Sequence, residues 1–376
     1  MSVYLDCNAT TPIDPGVEKE FLLYVREEFG NAGSRTHEYG NRAKQAVQKA
    51  RDQVGKPVRA KRDEVIFTSG ATESNNLSIL GLQDFGLENE RRHIISSAIE
   101  HKAVLEPLER LETLGFEVTL LKPDASGIIE ASQVADALRP ETLLVSIMHV
   151  NNETGAIQPL KDIAEALAEH DAYFHTDAAQ GYGKLNADLQ NTRLDLISLS
   201  GHKLYAPKGV GALIVRRRGF ERVPLKPLTF GGGQERGLRP GTLPVAMIVA
   251  LGKAAELAEK EAVKRSQRCL ELKKAAIAAF DAVGGQINGD PERTINSTLN
   301  VSIPDLDSEA VMLALKNEVA ISNGSACTSH EYTESHVLAA MGLPADRISG
   351  ALRISWCHLT EDPPWERVRE SIKGMR

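Results

Sequence analysis

The sequence reads DAYFHTDAAQGYGK at residues 171–184 and DLISLSGHKLYAPKGVG at residues 195–211, and these two stretches decide the fold. Each contains a short apolar run, typical of a strand buried on both faces, that continues directly into polar residues. Asp177 follows the first run and Lys203 follows the second. Ligands of open α/β sheets bind beyond the carboxyl ends of the strands, so an acid and a lysine are predicted to face one crevice.

Similar apolar runs recur from about residue 64 onward, with segments of helical periodicity between them. The runs include EVIFT, HIISSA, FEVTLLK, TLLVSIMHV and GALIVR, and the helical segments include HKAVLEPLERLETLG and LKDIAEALAEH. This alternation of strand and helix predicts right-handed βαβ units. The fold class is therefore predicted to be α/β, with a mostly parallel sheet flanked by helices.

The composition changes at about residues 243–280, where Ala, Leu, Glu and Lys dominate. This composition predicts one long helix that links two domains. Beyond it, STLNVSI and ALRISW are predicted strands, and SEAVMLALKN and ESHVLAAMG are predicted helices of a smaller α+β unit. We expect a large domain of residues 15–255 and a small domain of residues 1–14 and 256–376.

Composition excludes several classes of protein. Of the 376 residues 42% are hydrophobic, yet no run approaches the ~18 consecutive apolar residues of a membrane span. The start, MSVYLDCNATTP, lacks the basic and apolar regions of an export signal, so a cytoplasmic location is expected. The formal net charge of -7 argues against direct binding to nucleic acid.

The four cysteines are widely spaced and form no CxxC pair or zinc-type cluster, so we expect reduced thiols and no metal. Cys7 and Cys269 are predicted to be passive packing residues. Cys327 differs, because SNGSACTSH (residues 322–330) surrounds it with small polar residues, against the packing preference of a free thiol. Cys327 is therefore either incidental or must be reached by a ligand.

Two further features predict a phosphate site. TSGATESNN (residues 68–76) runs from a strand end through a glycine into a helix-competent segment, whose free amides would hold an anion. In SGHK, the glycine permits close backbone approach, and Ser200 and His202 could both reach a phosphate. A lysine for a Schiff base, an acid for a pyridinium nitrogen and a phosphate cup together describe a pyridoxal phosphate site. A P-loop nucleotide site is the alternative, but no GxxxxGK[ST] motif occurs.

Seven motifs in order along the chain resemble the signature set of the NifS/IscS-type cysteine desulfurases. They are SGATESNN, IEHKAVLE, HVNNETG, HTDAAQ, SLSGHK, FGGGQERGLRPGT and SNGSACTS. The resemblance runs from YLDCNATTP almost to the C-terminus. It implies a fold-type I pyridoxal phosphate enzyme of the class V aminotransferase family, with a large α/β domain and a small α+β domain.

The resemblance also implies how the cofactor ring is held. Lys203 would carry pyridoxal 5'-phosphate as a Schiff base, and Asp177 would pair with the pyridine nitrogen. Gln180 and Asn152 would contact the ring oxygen. His101 would stack on the ring and carry a proton.

For the phosphate, the resemblance implies a cup of Ala71, Thr72, Ser200 and His202. Thr242 would complete the cup from a second subunit. A homodimer is therefore expected.

The same resemblance implies the reaction. Arg353 and Asn152 would bind the carboxylate of L-cysteine, and Lys203 or His101 would remove the Cα proton. The Cys327 thiolate would then attack the substrate sulfur, which leaves L-alanine and a persulfide. The persulfide would pass to a sulfur-acceptor or scaffold protein in iron-sulfur assembly, transfer RNA thiolation or DNA sulfur modification.

Ordinary alternatives stand beside these roles. His101 could cap a helix start, Arg353 could form a structural ion pair, and Asn152 could be a turn residue. The activity could instead be that of a selenocysteine lyase or an aminotransferase on the same fold, or the chain could be an inactive assembly subunit. Cys357 and His358 stand where relatives usually carry Gly-Arg, and the sequence gives no physical account of that change.

Overall fold

The structure is a computed structural model that describes residues 2–323 and 334–376. The strands in these ranges are β1 (Val3–Tyr4), β2 (Val65–Thr68), β3 (His93–Ser97), β4 (Glu117–Leu121), β5 (Thr142–Ser146), β6 (Tyr173–Asp177), β7 (Leu196–Ser200), β8 (Gly211–Val215), β9 (Arg217–Arg218), β10 (Glu221–Arg222), β11 (Gln286–Ile287), β12 (Thr298–Ser302), β13 (Val319–Ala320) and β14 (Ala351–Ser355).

The α-helices in the same ranges are α1 (Pro15–Arg26), α2 (Glu38–Gly55), α3 (Ala71–Leu80), α4 (Gln83–Glu88), α5 (Lys102–Glu112), α6 (Ala131–Ala137), α7 (Leu160–Ala166), α8 (Val245–Lys260), α9 (Ala262–Asp281), α10 (Ser308–Leu315), α11 (His336–Ala340), α12 (Ala345–Ser349) and α13 (Trp365–Lys373). None of the helices in the two described ranges combines the length and the apolar character needed to cross a membrane.

Among the described residues, the largest sheet has seven strands in the order β2-β8-β7-β6-β5-β3-β4. Only β8 runs antiparallel to its neighbours. Consecutive residues of a strand pack on opposite faces: Ile94 and Leu144 join a cluster with α3 and α5, while Ile95 and Val145 join another with α2 and α8. Burial of both faces explains the nearly continuous apolar runs. The predicted α/β fold with a mostly parallel sheet is confirmed.

A second, antiparallel sheet has the order β11-β12-β14. Its apolar residues form a separate cluster with α9, α10 and α13 around the buried Trp356. Leu5 joins this cluster, and β1 pairs with β13 in parallel, so the start of the chain lies with this second unit. The predicted strands STLNVSI and ALRISW are β12 and β14. The domain boundaries given above remain a prediction.

The prediction of one long helix over residues 243–280 is wrong. Two helices, α8 and α9, meet at Glu261, whose backbone leaves the helical region (φ -109°, ψ 9°). The two helices pack into different cores: α8 buries Ile248 against the large sheet, whereas α9 buries Leu272 against the second sheet. Tertiary packing therefore overrides the uniform helix propensity of this stretch.

Candidate active site

A cavity of about 440 Å³ lies where β6 and β7 end and α3 begins. Ten of the residues predicted from the sequence line it: Ala71, Thr72, His101, Asn152, Asp177, Gln180, Ser200, His202, Lys203 and Arg353. Two predicted residues are not among them. Thr242 is exposed in the loop before α8, and Cys327 lies outside the described residues.

Asp177 is the last residue of β6, and its carboxylate is buried. Its Oδ2 accepts a hydrogen bond from Asn75 Nδ2 at 2.7 Å, and its Oδ1 accepts one from the Ala179 amide at 2.9 Å. Asn75 belongs to α3, so that helix fixes the orientation of the carboxylate. The sequence analysis missed Asn75, although it lies inside the SGATESNN motif.

Lys203 ends a 3₁₀ turn (Gly201–Lys203) that directly follows β7. Its Nζ donates to the carbonyl oxygen of Asn8 and, at 2.8 Å, to that of Ala9. Gln180 Nε2 donates to the same Asn8 oxygen at 3.0 Å, while the buried Gln180 Oε1 has no hydrogen-bond partner. An acceptor therefore stands unused beside the lysine.

The start of α3 forms the other end of the cavity. No side chain caps this ten-residue helix, so the amides of Ala71 and Thr72 keep their donor capacity toward the cavity. β8 passes so close that a Cβ on Gly211 would lie 2.6 Å from the Cα of Gly70. The glycine in this position is thus required by the close approach of two backbones.

Ser200 and His202 complete this end. Ser200 is buried at the end of β7 and lines the cavity. His202 Nδ1 lies 3.2 Å from Thr10 Oγ1, and burial lowers the pKa of His202 to about 4, with Lys203 acting in the same direction. The imidazole is therefore neutral near pH 7 and offers one N–H donor. Asp177, Ser200, His202, Lys203 and the start of α3 are termed the sheet wall.

His101 caps a helix, which is one of the ways that the sequence left open, and it also borders the cavity. Its Nδ1 accepts a hydrogen bond from the Ala103 amide at 3.0 Å and so caps α5, and its side chain also lines the cavity. Burial lowers the pKa of His101 below its ordinary value, against the opposing effect of Asp177. Because Nδ1 is an acceptor, the neutral ring carries its proton on Nε2.

Glu100, directly before His101, is a buried carboxyl that the sequence analysis missed. Its Oε1 accepts from Ser97 Oγ at 2.7 Å and from the Met148 amide at 2.8 Å, while Oε2 has no partner. Burial raises the pKa of Glu100 to about 8, since these hydrogen bonds only partly offset desolvation. The residue is therefore largely protonated at neutral pH.

Arg353 lies in the middle of β14 and is 1% exposed. Its Nη2 donates to Asp6 Oδ1 at 2.8 Å and its Nη1 to the Asn152 carbonyl at 3.4 Å, while Nε is buried without a partner. The alternative of a structural ion pair is thus observed, and the same side chain also borders the cavity.

Asn8 links this arginine to the lysine. Its amide donates to Ser355 Oγ at 2.9 Å, and its side chain donates to the Asn152 carbonyl at 3.0 Å and to Thr298 Oγ1 at 2.9 Å. The sequence analysis missed Asn8, since no local spacing connects residues that are 195 positions apart, as Asn8 and Lys203 are. Asn8, Asn152 and Arg353 are termed the arginine wall.

The described residues on both sides of Cys327 are held beside this cavity. Ser322 pairs with Arg353 through two backbone hydrogen bonds of 2.6 and 3.2 Å. On the other side, Ser335 Oγ donates to Glu153 Oε2 at 2.5 Å, next to Asn152.

Thr242 belongs to the motif FGGGQERGLRPGT, which is anchored near the start of α3. Glu235 is buried in a two-point ion pair with Arg51, and Arg239 Nε lies 3.0 Å from Glu73 Oε1. The motif is thus fixed on α2 and α3, while Thr242 itself is exposed.

Comparison with known proteins gives a consistent result. The family described as Aminotransferase class-V matches residues 3–362. Among curated proteins, the chain is similar to the cysteine desulfurase IscS of Shewanella sp. (strain MR-4). The two are 44% identical over 383 residues, covering 100% of this chain and 94% of the relative.

Two solved structures resemble the fold over nearly the whole chain. A NifS-like protein superposes with a TM-score of 0.91 at 34% identity, covering 100% of this chain and 99% of the other. DndA from Streptomyces lividans has a TM-score of 0.83 at 52% identity, covering 93% and 98%.

Proposed function

The chain belongs to the class-V aminotransferase family and, within it, to the cysteine desulfurases, as the seven motifs predicted. From this premise we propose how its own residues carry out the desulfurase reaction. The enzyme removes sulfur from L-cysteine, releases L-alanine and leaves a persulfide on Cys327. The observation that carries this proposal is the single cavity that brings together Lys203, Asp177 and Arg353. A lysine, an acid and a carboxylate-binding arginine are the groups that such a reaction requires.

The described residues fit pyridoxal 5'-phosphate. The uncapped amides of Ala71 and Thr72, together with Ser200 and His202, form a set of donors suited to a phosphate. At the other end, the unpartnered Gln180 Oε1 shows that the pocket leaves a buried polar group to be satisfied. When bound, this cofactor supplies an electron sink for the electron pair left on the substrate Cα. Lys203 would hold it and Asp177 would face its ring nitrogen.

Arg353 and Asn152 would bind the carboxylate of L-cysteine. A guanidinium whose Nη atoms are already fixed by Asp6 and by the Asn152 carbonyl cannot rotate freely, and its Nε still lacks an acceptor. Prior orientation reduces the entropy lost when the substrate binds.

Among the two candidate bases, the geometry favours Lys203. His101 accepts a hydrogen bond at Nδ1 and therefore holds its proton at Nε2, where it can donate but not accept. Lys203 Nζ is held by the Asn8 and Ala9 carbonyls beside the cavity. Lys203 would thus remove the Cα proton, while His101 would donate a hydrogen bond within the site.

Cys327 would receive the sulfur. Its thiolate attacks the substrate sulfur, the bond between that sulfur and the substrate Cβ breaks, and the carbon takes up a proton to become the methyl group of alanine. The hydrogen bonds of Ser322 to the Arg353 backbone and of Ser335 to Glu153 support this role, because Arg353 lines the cavity and Glu153 directly follows the lining residue Asn152.

A homodimer and a protein acceptor complete the proposal. Thr242 is exposed on a motif that is anchored at the start of α3, as expected for a residue that enters a neighbouring subunit. The persulfide would pass to a sulfur-acceptor or scaffold protein, in the reducing cytoplasm where free thiols persist.

The test follows alanine formation from L-cysteine by the purified chain loaded with pyridoxal 5'-phosphate. We expect Cys327→Ser to reduce alanine formation to background while it keeps the colour of the bound cofactor. We expect Lys203→Ala to lose both. Cys269→Ser, on a buried cysteine of α9, is the matched control and should keep both.

The outcomes separate the alternatives. Alanine formation at the wild-type rate by Cys327→Ser would remove Cys327 from the mechanism. Amino transfer that depends on an added 2-oxo acid would instead indicate an aminotransferase. Turnover of L-selenocysteine without turnover of L-cysteine would indicate a lyase.

A further inference from the structure

Cys7 and Cys357 meet in a small cluster outside the cavity, although they come from opposite ends of the chain. Both are buried, both thiols are free, and the cluster is completed by Tyr205. The Cys7 amide donates to the Ser355 carbonyl at 3.0 Å, which holds the two segments side by side. Two neighbouring thiols, unlike a single one, can form a disulfide.

A second cavity of about 300 Å³ reaches this pair. Cys7 and Cys357 both line it, together with Tyr4, Pro12 and Thr360. This cavity shares none of its lining residues with the active-site cavity. The two thiols therefore border a cavity that is separate from the catalytic one.

The surroundings favour a thiolate on Cys357. Thr360 Oγ1 accepts from the Cys357 amide at 2.9 Å and donates to Cys357 Sγ at 3.7 Å. The neighbouring Cys7 lowers the pKa of the Cys357 thiol below its ordinary value, and the nearby Lys184 acts in the same direction. The neighbouring Cys357 and burial raise the pKa of the Cys7 thiol above its ordinary value, so Cys7 is the protonated partner. A thiolate is the reactive form of cysteine.

We propose that Cys7 and Cys357 form a redox-active dithiol, a modification site at which a hydroperoxide converts the pair into a disulfide. The Cys357 thiolate attacks one oxygen of hydrogen peroxide, the O–O bond breaks, and the departing hydroxide takes up a proton and leaves as water. Cys357 is then a sulfenic acid. The Cys7 sulfur displaces the hydroxyl, which leaves with the Cys7 proton as a second water, and the S–S bond forms. Two thiols lose two electrons to one peroxide.

The disulfide would join the two segments that build the arginine wall. Cys7 is followed by Asn8, whose carbonyl holds Lys203, and Cys357 follows the strand that carries Arg353. Cys357 has no part in the desulfurase reaction described above, and this site would give it a function.

The experiment treats the full-length, cofactor-loaded chain with hydrogen peroxide, blocks the remaining thiols by alkylation and maps the peptides without reduction. We expect a linked Cys7–Cys357 peptide that has lost two hydrogens, and loss of alkylation at both residues. Cys269→Ser should give the same linked peptide, because Cys269 is not part of the pair.

Two variants separate the roles of the partners. Cys7→Ser should accumulate a sulfenic acid on Cys357, detected as a dimedone adduct, since no resolving thiol remains. Cys357→Ser should give no such adduct on Cys7. The proposal is overturned if both thiols of the wild-type chain stay fully alkylated after peroxide, or if Cys7 links to a different cysteine. The peptide map of the peroxide-treated wild-type chain tests the proposal even if one of the variants does not fold.

Discussion

The two walls of the active-site cavity are built in different ways. In the sheet wall, Asp177 and Lys203 are placed by the ends of β6 and β7, which are neighbouring parallel strands. In the arginine wall, Arg353 lies on β14, but its guanidinium is oriented by polar contacts with distant segments, such as the 2.8 Å bond to Asp6. Backbone topology sets the first wall, whereas a network of buried polar contacts sets the second.

This difference suggests a division of labour. Strand ends in a sheet that is buried on both faces cannot shift without disturbing the core, so the sheet wall suits a cofactor that stays in place through every turnover. Polar contacts between distant segments depend on correct docking of those segments. The arginine wall suits a substrate that enters and leaves. Changes in the sheet wall should therefore act on kcat, and changes in the arginine wall on KM.

Asp177→Asn should have the largest effect. The amide cannot supply the negative charge expected opposite the ring nitrogen, so we expect kcat for alanine formation to fall about a thousandfold. Asp162→Asn, on an exposed position of α7, is the matched control and should keep kcat. A variant with normal kcat but raised KM would contradict the division between the walls.

Arg353→Lys should act mainly on KM. A lysine keeps the charge but cannot hold Asp6 and a carboxylate through a planar two-point contact. We expect KM for L-cysteine to rise about thirtyfold, which corresponds to ~2 kcal/mol, with a much smaller change in kcat. Thermal unfolding of the variant, followed in parallel, separates loss of binding from loss of folding. A fall in kcat at unchanged KM would place Arg353 with the sheet wall.

The same difference explains how much the sequence could predict. Apolar runs that end in polar residues indicate strand ends, and strand order then brings Asp177 and Lys203 together, so the fold class and the sheet wall were predictable from pattern and topology. In the arginine wall, Asn152 and Arg353 were named only through family resemblance, and Asn8 was missed. The partners of Asn8 lie 144 and 347 positions away in the chain, and no local periodicity encodes such pairs. The break between α8 and α9 at Glu261 was missed for a similar reason. The two helices pack into different cores, and this packing, not local helix propensity, determines where the first helix ends.

Glu100, which directly precedes the cavity residue His101, can be tested through stability rather than turnover. Its pKa is about 8 in the folded chain against an ordinary 4.5, so the folded state binds the extra proton between these values. The stabilisation is complete below about pH 4.5 and is lost as pH rises toward 8. The free energy of unfolding of the wild type, relative to Glu100→Gln, should therefore fall with rising pH by up to ~1.4 kcal/mol per unit.

Urea unfolding at several pH values between 5 and 8 measures this difference. Gln keeps the acceptor used by Ser97 and Met148, so the variant should fold. Glu106→Gln, on an exposed position of α5, is the matched control. A constant difference between wild type and Glu100→Gln across the range would show that Glu100 does not change protonation on folding.

Ser355→Ala should have the smallest effect, and it tests the arginine wall most specifically. It removes the acceptor of the Asn8 amide, a buried bond of 2.9 Å, and so should cost about 1–2 kcal/mol of stability. Asn8 lines the cavity. Ser302→Ala, on β12 of the same sheet, removes comparable hydrogen bonds, but its partners Asn288 and Arg347 do not line the cavity. If the wall depends on how its segments dock, only Ser355→Ala should raise KM, about threefold, because only that change frees Asn8 beside Lys203 and Arg353. An equal rise in KM for both variants would mean that general loosening of the sheet, and not the contact at Asn8, controls substrate binding.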